Sequence, residues 1–152
     1  MTAALLLCLV VGVTDGDTIK VRCDDEQIKI RLSEIDAPES KQPWGQRSKQ
    51  SLSDLCFQKQ AEVRPVTTDR YGRTVARVIC DGVDANLEQV RAGMAWAYLK
   101  YLRDPDILVA EKSARADRAG LWSDVEPVPP WEWRMRLFEK REHADHRDDD
   151  NR

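Results

Sequence analysis

The sequence has no apolar run near the ~20 residues that a bilayer-spanning helix requires. It has no pair of cysteines at C-x-x-C spacing, no internal repeat and no surplus of positive charge. The first absence excludes a helical transmembrane segment. The second argues against a zinc or thiol-redox site. It leaves the four cysteines, Cys8, Cys23, Cys56 and Cys80, as buried thiols or as disulfides of an exported chain. Should a bridge form, Cys56 with Cys80 is the pairing expected. The formal net charge is -3, and residues 139–152 hold six of the 27 acids and four of the 24 bases, leaving a body with 21 against 20. A near-neutral body does not attract phosphate in bulk, so a phosphate ligand would need placed arginines or a metal. The two histidines, His143 and His146, lie in the charged tail and make a weak metal pair.

The start, "MTAALLLCLVVGV", lacks the positive flank and the cleavage site of an export signal, and "LLLC" has leucine where a lipobox needs a small residue. Cys8 onward therefore reads as a buried first strand, with residues 1–7 leaving room for the remnant of an export signal. The chain has 152 residues, enough for one domain with a core of its own. "CLVVGVTD", "DTIKVRC" and "QIKIRLSEI" alternate in the manner of strands, and "AEVRPV" and "TVARVIC" add two more. Helical spacing appears in "GQRSKQSLSDLCFQ", in "NLEQVRAGM" with Asn86 as its N-cap, and in "DPDILVAEKSARADRAG" with Asp104 as cap and Pro105 in the first turn. The expectation is an α+β fold: a five-stranded Greek-key barrel of the OB-fold type with about three helices. Residues 1–124 form the domain. Residues 125–152 form an extension in which "VEPVPPWEWRMR" breaks regular structure, Trp131 and Trp133 pack back on the body, and the charged end is disordered.

Within the strand-like run "VTDGDTIKV", Asp15 and Asp17 flank Gly16. On extended chain they share a face, and Gly16 lets the backbone bend between them. A second pair, Asp36 and Glu39, sits in "LSEIDAPES". Taken singly, each has a bland reading, as a bend, a turn residue or a surface charge. Together, converging Asp17 and Asp36 repel unless protonated or neutralised, and a hard divalent cation with oxygen ligands would satisfy them. Arg31 and Arg73 offer guanidinium forks that match phosphate oxygens and would stabilise charge developing on a phosphate during displacement.

The ordered motifs "DGDTIKV", "IRLSEIDAPE" and "DRYGR", followed by "DANLEQVRAGMAWAY" and "GLW", resemble the staphylococcal nuclease (thermonuclease) family over roughly Cys8 to Asp124. The resemblance implies an OB-fold nuclease that uses Ca²⁺ to hydrolyse DNA or RNA phosphodiesters and leaves 3′-phosphates. It implies Asp17, Asp36 and the backbone carbonyl of Ala37 as metal ligands, alanine standing where the staphylococcal enzyme has threonine. Glu39 would be the base, or would orient the attacking water. Arg31 and Arg73 would clamp the phosphate, while Asp15 and Thr18 would support the site. Tyr98 and Tyr101, three apart here instead of two, could stack on a base or pack. "SKQPWGQ" is shorter and less basic than its staphylococcal counterpart.

The resemblance also implies a monomer acting on DNA or RNA, with a secreted or periplasmic location expected and a cytoplasmic one as the alternative. The competing reading is a catalytically weak module that binds nucleic acid or protein. Binding alone does not need Asp17, Asp36, Glu39, Arg31 and Arg73 together, so the retained set favours the enzyme.

Overall fold

The computed structural model describes residues 5–149. Expectations for residues 1–4, for residues 150–152 and for the side chain of His146 lie outside the described residues. Five strands build the barrel: β1 (Leu6–Asp15), β2 (Thr18–Cys23), β3 (Glu26–Leu32), β5 (Gln60–Thr68) and β6 (Thr74–Cys80). Two-residue pieces β4 (Ile35–Asp36), β7 (Val83–Asp84) and β8 (Trp96–Ala97) complete the strands. Antiparallel pairing runs β3-β2-β1-β5-β6, and a parallel pairing of Ile30, Arg31 and Leu32 with Thr74, Val75 and Ala76 closes the ring. Closure leaves the five long strands no free edge for stray pairing.

Alternation drives the assembly. Ile19 and Val21 of β2 are buried while Lys20 and Arg22 are exposed, and in β3 Ile30 and Leu32 are buried. The helices cap this core. Leu52 comes from α1 (Gly45–Cys56), Val90 from α2 (Ala85–Arg91) and Ile107 from α3 (Pro105–Ala116), and all three are fully buried. The expected strands and these three helices are all present.

Several local expectations change. β1 starts at Leu6, because Leu6 and Leu7 pair with Val63 and Glu62 of β5. Two residues that the sequence allows as a signal remnant thus belong to the barrel. The N-cap of α2 is Asp84, whose side chain accepts from the Leu87 amide at 3.1 Å. Asn86, the cap expected from sequence, is fully buried instead. It accepts from the Val78 amide at 3.0 Å and donates to the Ser33 carbonyl at 2.9 Å, tying α2 to the barrel.

The extension also differs from expectation. Residues 130–149 form a helix, α4 (Pro130–Asp149), where the sequence suggests irregular chain followed by disorder. Pro130 opens it with the preset φ of a first-turn proline, Glu132 favours its positive N-terminal end, and Trp131 docks it. The Trp131 ring lies 5.6 Å from that of Trp96 and 5.9 Å from that of Tyr98. Trp131 and Trp133 are both partly buried, so the indoles do pack back on the body.

All four cysteines are bridged, Cys8 to Cys23 and Cys56 to Cys80. The first staples β1 to β2, and the second ties the end of α1 to β6. Bridges across loops of 15 and 24 residues should each contribute ~3 kcal/mol by restricting the unfolded chain. Reduction is therefore expected to lower the melting temperature by roughly 6–12 °C per bridge. Thermal melts with and without reductant check this, and unchanged melting would show the bridges add nothing.

Candidate active site

Asp17 is placed by a turn, not by a strand. β1 and β2 are joined through Gly16 and Asp17, with Asp15 paired to Thr18. The Asp17 amide donates to Asp15 Oδ1 at 3.0 Å, which folds the turn back on its own first carboxylate. Gly16 does not adopt a left-handed conformation. Glycine is needed there for space, since a Cβ would lie 1.8 Å from Ser48 Oγ of α1 and 2.9 Å from Ala37 Cβ. The expectation that Asp15 and Asp17 share a face of extended chain, with Gly16 as a hinge, is therefore corrected: the turn and the close approach of α1 set their positions. Gln89 of α2 locks this arrangement. Its Nε2 donates to the Gly16 carbonyl at 2.8 Å and the Ser48 carbonyl at 3.0 Å, and its Oε1 accepts from Ser51 Oγ at 2.6 Å.

Across the hairpin, Thr18 faces Arg31 of β3, and the Leu32 amide donates to the Asp17 carbonyl at 2.8 Å. Asp36 is fixed by the short β4–β8 ladder, opposite Trp96. Arg31 sits between the two carboxylates, with its Nη2 3.5 Å from Asp17 Oδ2 and 3.4 Å from Asp36 Oδ1. Its Nη1 donates to the Leu32 and Ile35 carbonyls at 2.6 and 2.8 Å, so the fork cannot turn away freely. Asp17 Oδ2 also accepts from the Ala37 amide at 2.8 Å, and Oδ1 accepts from Thr18 Oγ1 at 3.0 Å. The structure thus brings together Asp15, Asp17, Thr18, Arg31, Asp36 and Ala37.

The carboxylates do not share one electrostatic fate. Burial, then the charge of Asp17, pushes Asp15 up to about 8. Burial works against ionisation of Asp17 too, but Arg31 and the hydrogen bonds from Asp15, Ala37 and Thr18 hold it below the usual carboxylate range. Asp36 is raised, chiefly by burial and further by Asp17, against the guanidiniums of Arg134 and Arg31. The group is crowded with negative charge for which Arg31 alone does not compensate.

Glu39 joins the cluster through a residue that sequence reasoning missed. Arg134 of α4 places Nη1 2.7 Å from Glu39 Oε1 and Nη2 2.7 Å from Asp36 Oδ2. Arg134 lies 98 residues from Asp36, and no local spacing signals the contact; only the helical run after Pro130 hints at it. Arg73 does not reach the carboxylates. It immediately precedes β6 and is held in its own loop, Nε donating to Asp69 Oδ2 at 2.7 Å. The rings of Tyr98 and Tyr101 lie 5.3 Å apart, with Tyr98 half-buried against Trp131 and Tyr101 exposed.

Among the described residues, no three or more His, Cys, Asp or Glu side chains form a metal-holding group. The donor set of Asp17, Asp36 and a backbone carbonyl at Ala37 is smaller than that and is all hard oxygen. Such all-oxygen donors match a hard divalent cation, and not zinc or a soft metal.

A family model described as staphylococcal nuclease homologue matches residues 29–124. An uncharacterized endonuclease of Haemophilus influenzae is 47% identical over 128 residues, covering 84% of this chain and 72% of its own. An uncharacterized endonuclease of Escherichia coli O157:H7 is 46% identical over 128 residues, covering 84% of each chain. A micrococcal nuclease of Shigella flexneri is 42% identical over 136 residues, covering 82% of this chain and 78% of its own.

Proposed function

Starting from the premise that the chain belongs to the staphylococcal nuclease family and is a nuclease of the hydrolase class, we propose that it is a Ca²⁺-dependent phosphodiesterase that cleaves DNA, RNA or both and leaves 3′-phosphate ends. The observation that carries this reading is the convergence of Asp17 and Asp36 on one Arg31 guanidinium, at 3.5 and 3.4 Å. Asp17, Asp36 and the Ala37 carbonyl would hold the cation, which when bound supplies positive charge at the phosphate oxygens.

Glu39, released from Arg134, takes a proton from a water that attacks phosphorus in line. The bond from phosphorus to the 5′-oxygen breaks, and the leaving oxygen takes a proton from solvent. Arg31, anchored through the Leu32 and Ile35 carbonyls, and Arg73, freed from Asp69, stabilise the charge that builds on the phosphate. Asp15 and Thr18 fix Asp17. Tyr98 and Tyr101 offer rings on which a base can stack. Action as a monomer and export to an oxidising compartment belong to the same reading, and the two disulfides support the latter.

The test compares cleavage of single-stranded DNA by the parent and by Glu39→Gln, each with Ca²⁺ and with a chelator. Cleavage is expected to vanish with the chelator and to fall roughly 10²–10⁴-fold in the variant. A folded parent that binds DNA and never cuts it would replace this reading with that of a binding module.

A further inference from the structure

Arg134 occupies a peculiar position. It lies beyond residues 29–124, over which the family model matches. Yet its guanidinium touches both oxygens of Asp36, at 2.7 and 3.3 Å, and one of Glu39, at 2.7 Å. The Asp36 side chain is only 1% exposed, whereas that of Arg134 is 44% exposed. The guanidinium therefore approaches a buried carboxylate from the solvent side, the side from which an ion must also enter. A cation that uses Asp36 has to take an oxygen that Arg134 now holds.

The helix that delivers Arg134 is firmly rooted. Gln42 Nε2 donates to the Val128 carbonyl at 2.6 Å, Pro130 is buried, and Trp131 packs edge-on against Trp96 at 5.6 Å. Arg134 follows Trp131 by three residues, close to one helical turn, on the stretch where α4 leaves the body and becomes exposed. Root and reach together place one long cationic side chain over the carboxylate cluster. Arg31 and Arg134 then give two positive charges against Asp17, Asp36 and Glu39. Asp17 and Asp36 each thereby have a cationic partner without a metal.

We propose that Arg134 is an intramolecular counter-cation that competes with the divalent ion for Asp36 and Glu39, so that the C-terminal helix gates loading of the metal site. The gate rests on the cation site of the proposed function. The intrinsic affinity of the site is masked by the fraction of molecules in which Arg134 occupies Asp36, and removing the guanidinium unmasks it. A bound phosphodiester offers Arg134 a substitute anion, so substrate and cation favour the same withdrawal of the side chain.

The test measures Ca²⁺ binding by calorimetric titration of the full chain without nucleic acid. It compares the parent, Arg134→Gln, Arg134→Lys, Asp36→Asn and, as a control for charge alone, Arg136→Gln, whose side chain is 59% exposed on the same helix. Arg134→Gln is expected to bind about tenfold more tightly than the parent, as for a seat about 90% occupied by the guanidinium. Arg134→Lys should fall between them, since it keeps the charge without the fork. Arg136→Gln should stay near the parent, and Asp36→Asn should lose binding. Equal or weaker binding by Arg134→Gln, with the parent still binding, overturns the gate and leaves the function intact. No binding by any variant overturns both the gate and the Ca²⁺-dependent reading. Arg134→Gln leaves Asp36 paired with Arg31 alone, so a thermal melt of each variant verifies that binding is compared between folded proteins.

Discussion

Arg31→Gln is expected to reduce cleavage at least about a hundredfold and to destabilise the cation-free protein by about 3 kcal/mol. The activity loss follows from removing a fixed positive donor at the place where the proposed transition state gains charge. The stability loss has a separate cause. Arg31 contacts both Asp17 and Asp36, which are 6% and 1% exposed. Glutamine leaves Asp17 without its guanidinium and Asp36 with Arg134 alone, and breaking a buried pair by removing one partner costs ~3–5 kcal/mol. The two losses should separate when Ca²⁺ is added. The ion supplies the missing charge and restores much of the melting temperature, while cleavage stays low because the phosphate lacks its fork. Thermal melts with and without Ca²⁺, alongside kcat/KM, check this. A variant that remains as active and as stable as the parent would remove Arg31 from both roles.

Gly16→Ala should both destabilise the chain and disturb the turn that carries Asp17. Its Cβ would sit 1.8 Å from Ser48 Oγ and 2.7 Å from Ser48 Cβ. Ser48 cannot step aside. It is fully buried, its hydroxyl donates to the Met94 carbonyl at 2.6 Å, and its own carbonyl is held by Gln89. The turn cannot retreat either, because Gln89 also holds the Gly16 carbonyl. Either α1 or the turn must shift, at about 3 kcal/mol, which corresponds to roughly 6–12 °C in melting temperature. A shift of the turn carries Asp17 with it, so activity should fall more than the unfolded fraction explains. Placing Gly16→Ala on a Ser48→Ala background removes the shortest contact and should recover part of the loss. Urea denaturation of the two single variants and the double measures the coupling, and strict additivity would show that the clash is not the cause.

What the sequence reveals about this protein follows the range of the interactions. Ile19, Val21, Ile30 and Leu32 declare their strands because alternation is a property of neighbours along the chain. Asp17, Arg31 and Asp36 can be read as one group because the hairpin that unites them is short and its turn is local. Asn86 misleads for the same reason. A polar residue before an apolar helical run looks like a cap, and only the tertiary fold shows that it satisfies Val78 and Ser33 inside the molecule. Gly16 is legible as a special position but not for its cause, since the atom that forbids a side chain belongs to Ser48, on a different element. Arg73 matches its motif yet rests on Asp69, because a motif fixes residue types and not the partner an arginine chooses when no phosphate is present. α4 is misread because its charge resembles disorder, while the aromatic anchor that holds it, Trp131 on Trp96, spans distant parts of the chain. Arg134 escapes for that reason as well.

The two bridges also partition the chain into closed rings. The ring from Cys8 to Cys23 encloses the whole turn that carries Asp15 and Asp17. The ring from Cys56 to Cys80 encloses the loop between β5 and β6, where Arg70 and Tyr71 stand exposed ahead of Arg73. A protease that cut after Arg70 would open a loop without releasing a fragment. Both pieces would stay tied through Cys56 and Cys80, still paired along β5 and β6. A single nick there would be survivable damage, with every charged group of the site still on one covalent body.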